Sequence, residues 1–148
     1  MIDIKPENIV YASKAIDSPV ILTGFGISAM QSSAEETFKD YVGSFGYAAP
    51  EVVYQVGHGQ AADVWSISVV TYVLLCGYTP FRSTNIQDFL EECTRDHVIF
   101  HERYWRNVSE DAKDFISCLM DRSPEKRPTC QVCSINYYLI DHNDCKVF

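Results

Sequence analysis

Ala61-Ala62-Asp63-Val64-Trp65-Ser66-Ile67-Ser68-Val69-Val70-Thr71-Tyr72-Val73-Leu74-Leu75-Cys76 is the stretch that decides the fold. Its apolar residues surround the helical wheel instead of lining one stripe, and a helix that is apolar all round is one enclosed by other elements. Asp63 lies in the first turn, where the helix dipole favours a carboxylate, and Gly77 with Pro80 closes the segment. The unbroken part, Val69 to Cys76 with Thr71 inside it, is far short of the ~20 residues a bilayer crossing needs. It reads as a core helix.

Downstream of it, Ser109 is a plausible N-cap followed by Glu110 and Asp111, and Ala112, Phe115, Ile116, Leu119 and Met120 recur at three and four. That spacing predicts an amphipathic helix, and 85–94 and 131–140 carry weaker helical signals. Upstream, Ile9 to Tyr11 and Val20 to Leu22 suit two short strands, with residues 13–19 turning between them. Residues 24–46 are polar and rich in Gly, Ser and acids, a long loop of the kind that is either functional or mobile. The expected fold is mainly α with a short two-stranded β element near the N-terminus.

Composition bounds the partners. In 148 residues, 47% of them hydrophobic, 20 Asp and Glu face 12 Lys and Arg for a net charge of -8. An acidic chain without a basic patch is a poor ligand for nucleic acid or anionic membranes, since both attract cations. No signal-peptide pattern is present, so the expected address is intracellular and cytoplasmic. The cysteines, Cys76, Cys93, Cys118, Cys130, Cys133 and Cys145, are then reduced thiols and not a disulfide framework. Cys130 and Cys133 form a lone CxxC, and His142 with Cys145 does not complete a zinc spacing.

The chemistry-bearing residues begin near the N-terminus and recur along the chain. Asp3-Ile4-Lys5-Pro6-Glu7-Asn8 resembles the catalytic loop of eukaryotic protein kinases, in which an Asp is followed five positions later by an Asn. Further matches keep the family's order: Gly24-Phe25-Gly26, Gly43-Ser44 with Tyr47 ahead of Ala49-Pro50-Glu51, Asp63-Val64-Trp65-Ser66, Gly77-Tyr78-Thr79-Pro80-Phe81 and Arg127-Pro128-Thr129. The chain is similar to the C-terminal lobe of a serine/threonine kinase, most like the calcium/calmodulin-dependent group. On this resemblance residues 1–130 are a partial kinase domain whose N-terminal lobe is absent, and residues 131–148 are a divergent tail.

The resemblance also implies roles. Asp3 is the base that accepts the substrate hydroxyl's proton, Lys5 contacts the transferred phosphoryl group, and Asn8 is a magnesium and cofactor ligand. Val10 packs under adenine, while Glu7 and Ser44 face the substrate. Glu51, Asp63 and Arg127 are structural anchors, with Glu51 paired to Arg127. ATP and magnesium are the implied cofactors, and protein substrates, or a partner covering exposed apolar surface, are the implied partners.

Three departures qualify this picture. Gly24 stands where the family carries the magnesium-binding Asp of Asp-Phe-Gly. Met1 and Ile2 replace the His-Arg that precedes the catalytic Asp, and Asp40 occupies the place of an activating phosphothreonine. The Gly-rich loop, the strand Lys and the helix Glu have no counterpart in these residues. The expectation is a kinase-derived chain inactive alone, with a pseudokinase-like interaction module as the alternative. The tail sets only Lys146 against Asp141 and Asp144, unlike the basic amphipathic helices calmodulin binds, so calmodulin is not expected as a partner.

Overall fold

The computed structural model describes residues 3–33, 36–41, 43–94 and 98–137, with backbone alone for 134–137. A 3₁₀ turn at Pro6–Asn8 leads into strand β1 (Ile9–Tyr11), which pairs antiparallel with β2 (Val20–Leu22) so that Val10 faces Ile21 across the ladder. Six helices follow: α1 (Pro50–Tyr54), α2 (Gln60–Cys76), α3 (Ile86–Cys93), α4 (Glu102–Trp105), α5 (Glu110–Leu119) and α6 (Cys130–Tyr137). Both strands stand at the expected positions. Residues 138–140, where the last helix was expected to end, lie outside the described residues.

The helix ends follow from local chemistry. Asn85 caps α3 by accepting the Asp88 amide, and Ser109 caps α5 by accepting that of Ala112, each satisfying an orphan donor of a first turn. Gly77 ends α2 at φ 79°, a left-handed conformation that a side chain resists. Two short helices escaped the sequence reading. α1 is five residues and α4 four, too short for a period to register, and each depends on packing through Val52 or Trp105.

α2 is the axis of the core. Ala62, Val64, Trp65, Val69, Val70 and Tyr72 are buried, and α5 and α4 lie against it. The expectation of burial all round holds through Tyr72 and fails in the last turn, where Leu74 is 68% exposed because no described element covers that end. Beside Tyr72, the Trp105 indole N–H donates to the Tyr78 hydroxyl at 3.1 Å. Tyr78 and Tyr72 share a hydroxyl hydrogen bond at 2.9 Å, and Tyr72 donates to the Ile99 carbonyl at 2.8 Å. Tyr72 and Trp105 are thereby buried, and Tyr78 half-buried, without stranding their polar ends.

A single guanidinium closes the other side of α2. Arg127 donates to Glu51 Oε1 at 2.6 Å and to Oε2 at 3.0 Å, to the Ala61 carbonyl at 2.9 Å and to the Asp121 carbonyl at 2.7 Å. It also lies over the Trp65 ring, 5.0 Å from its centroid. Removing one member of a buried pair strands the other's charge, which costs about 3–5 kcal/mol. Arg127→Met is expected to lower unfolding free energy by that amount in urea titration. Adding Glu51→Leu to it should recover part of the loss, and a double variant weaker than the single would refute this account.

Candidate active site

The catalytic-loop residues and the far end of the long loop meet although some forty positions of sequence separate them. Ser44 donates its backbone N–H to Asp3 Oδ1 at 2.9 Å and its hydroxyl approaches Asp3 Oδ2 at 3.2 Å. Lys5 Nζ reaches Asp3 Oδ2 at 2.8 Å and the Ser44 hydroxyl at 2.5 Å. Gly43, at φ 118°, lets the backbone turn here, with its would-be Cβ 3.8 Å from Asp3 Oδ1. Asp3, Lys5 and Ser44 therefore form one closed cluster.

Charge and burial act against each other at Asp3. Burial would raise its carboxyl, but the hydrogen bonds from Lys5 and Ser44, with the Lys5 charge, outweigh that and hold it below the ordinary carboxylate value. Lys5 is correspondingly raised, first by its bond to Asp3. The pair is ionised at neutral pH. Oδ1 carries one donor, leaving it room to accept another.

Asn8 closes the loop from the other side. Its Nδ2 donates to the Asp3 carbonyl at 2.7 Å and lies 3.4 Å from Asp3 Oδ2. Thr23 clamps the Asn8 carbonyl with its N–H at 2.8 Å and its hydroxyl at 3.1 Å. No sequence signal pointed to Thr23. Gly24 comes next, at φ 81°, and a Cβ there would meet Asn8 Nδ2 at 2.4 Å and Cγ at 2.5 Å. The Asn8 amide occupies the space into which a side chain at position 24 would grow.

The other expected residues are placed as follows. Val10 is on β1 and 40% exposed, and Glu7 is exposed in the 3₁₀ turn. The Tyr47 phenol is pushed up by its burial and by the Glu7 charge, so Glu7 acts on the same face as Ser44 and Tyr47. Asp63, from the first turn of α2, lines one small cavity with Asp3, Ile4 and Ser44. Glu51 and Arg127 form their ion pair away from this cluster. Among the described residues no group of three or more His, Cys, Asp or Glu is arranged to hold a metal. Met1 and Ile2 lie outside them.

Fold and cluster define a protein kinase lobe, and comparison with known proteins agrees: the protein kinase domain family matches residues 1–139, and the chain belongs to that family, as a serine/threonine kinase domain of the calcium/calmodulin-dependent group. It is 53% identical over 129 residues to the calcium/calmodulin-dependent protein kinase cmkA of Emericella nidulans, covering 87% of this chain and 31% of that protein. It is 51% identical over 146 residues to the calcium/calmodulin-dependent protein kinase of Metarhizium anisopliae, covering 95% and 38%. With the human calcium/calmodulin-dependent protein kinase type 1B it shares 41% over 129 residues, covering 87% and 37%. The chain spans about a third of the length of the curated relatives it matches.

The contact at position 24 is open to a direct test. Gly24→Ala should destabilise by about 1–3 kcal/mol, from the left-handed backbone and from overlap with Asn8. Combining it with Asn8→Gly should shrink that penalty, because only the backbone cost remains. Purely additive effects in a double-mutant cycle would refute the contact.

Proposed function

We propose that this chain carries the acceptor-binding side of a serine/threonine protein kinase and does not itself transfer phosphate, because its metal centre is incomplete. The observation that carries the reading is Gly24, packed against the Asn8 amide where the family places a carboxylate. Magnesium takes near-octahedral oxygen ligation, usually through one or two carboxylates. Here Gly24 offers no side chain, Asp3 is engaged by Lys5 and Ser44, and Asn8 supplies one amide oxygen. This donor set does not fit the ion.

What the chain retains is the protein side of acceptor binding. A substrate hydroxyl donating to the open position on Asp3 Oδ1 would be held by the lowered carboxylate, with Lys5 beside it to meet negative charge and Ser44 fixing both. Glu7, exposed on that face, suits a basic residue in a protein substrate. Residues 1–130 are the unit in this reading and 131–148 the divergent tail. Calmodulin, which appears in the relatives' names, is not carried over, since Lys146 stands against Asp141 and Asp144 in that tail.

A non-catalytic interaction module is favoured by a second observation. Tyr11, Ile16, Val20, Phe25 and Met30 all stand more than half exposed along the hairpin and the loop after it, a patch suited to a protein partner.

Incubation with magnesium and ATP is expected to leave the melting temperature of the purified chain unchanged. Transfer of labelled γ-phosphate to Ser/Thr peptides should equal that of Asp3→Asn. A shift of several degrees, with transfer abolished in Asp3→Asn alone, would overturn the reading. Asp40 is exposed and already negative, so phosphatase treatment of the cellular protein should leave its peptide binding unaltered. Loss of binding on dephosphorylation would count against that independence.

A further inference from the structure

Among the described residues, His58 is the one histidine buried in the core. It is 3% exposed, and neither ring nitrogen has a hydrogen-bond partner among the described residues. A neutral imidazole brings one donor and one acceptor, and leaving both unmade in a buried site costs stability. Neither the fold nor the acceptor site calls for a titratable ring there.

Its position gives the ring a different significance. The His58 N–H donates to the Phe38 carbonyl and the Phe38 N–H donates to the His58 carbonyl, each at 2.9 Å, forming an isolated antiparallel bridge. The two rings lie 6.2 Å apart. Gly57, at φ 111°, places its would-be Cβ 3.5 Å from Thr37 Oγ1, so the backbones come close where a glycine permits it. This bridge ties the long loop to the turn that starts α2, a short way before the loop delivers Ser44 to Asp3.

Among the described residues, the carboxylates whose charge acts on the ring are Glu51 from α1, Asp40 from the loop and Asp63 from α2, and the N-terminal amine acts against them. Burial is the largest influence and lowers the ring's affinity for a proton, while the three carboxylates partly oppose it. Glu51 is already committed to Arg127, and no carboxylate bonds the ring.

We propose that the Phe38–His58 bridge is an acid-sensitive latch, in which protonating His58 expels the ring and releases the activation segment that carries Ser44. The sign follows from linkage. An open, solvated ring titrates near 6.5, whereas the closed ring titrates lower, so below pH 6.5 the open form binds more protons and gains population. A ring that stays neutral while closed sets a limit of about tenfold between pH 7.5 and 5.5. The proposal deepens the acceptor-site reading through the regulation of the same segment. Its readout is amide exchange and not transfer, so either can fail alone.

Amide exchange of the full chain, corrected for intrinsic rates, tests it. Protection of the Phe38 and His58 amides should fall several-fold, up to about tenfold, from pH 7.5 to 5.5, while α2 amides near Trp65 keep theirs. His58→Phe should abolish the difference. Equal or rising protection in acid, or the same fall in His58→Phe, would overturn the latch. Should that variant not fold, the His58 ring signal of the unaltered chain decides by NMR titration: a midpoint below 6.5 supports the proposal and one at or above 6.5 refutes it.

Discussion

Everything in the lobe is arranged around the Arg127 guanidinium. A planar fork with five donors can bind several acceptors at fixed angles, and Arg127 uses that geometry to join α1 through Glu51, the start of α2 through the Ala61 carbonyl and the loop after α5 through Asp121. Burying the charge is tolerable only because the carboxylate is bidentate and carbonyls take the remaining donors. The Trp65 ring beneath it shields the pair and fixes α2 in the same act. Since Glu51 directly follows the segment that ends in Ala49 and Pro50, the end of the long loop is anchored to the core at one point. Ser44 can then be presented to Asp3 from a rigid base.

The Asp3 cluster depends on that anchor at one remove. Its bonds are local on one side, Asp3 to Lys5 and Asn8, and long-range on the other, through Ser44. The local half is set by the short 3₁₀ turn at Pro6–Asn8, whose proline holds the backbone. The distant half exists only if the lobe is folded. Asp3 ionisation therefore reports on tertiary structure, because two of the bonds that lower it come from Ser44.

How much of this could be read beforehand follows the range of the interactions. The strands at Ile9–Tyr11 and Val20–Leu22, α2 and the Ser109 cap were legible because each has a local signature of alternation, apolar density or capping chemistry. α1 and α4 were not, since they have too few residues to show a period and owe their helicity to packing. In the site, Asp3, Lys5, Asn8 and Ser44 were legible through the order of the motifs. Thr23 and His58 were not. Thr23 works through a bond to a backbone carbonyl, and His58 matters through burial and through a pairing with Phe38 that no local spacing encodes.

The position of Gly24 shows how little of the fold depends on a side chain there. Gly24 is exposed, and the atoms nearest a Cβ there would be those of the Asn8 amide, so a side chain at this position is not part of the core. A glycine suits the left-handed backbone there and leaves room for the Asn8 amide that bonds the Asp3 carbonyl. The anchors behave differently, because Arg127, Glu51 and Trp65 are each held by several elements and cannot change singly. Structural and catalytic demands thus fall on different residues of the same lobe. That separation lets a recognisable kinase architecture stand without a carboxylate at position 24.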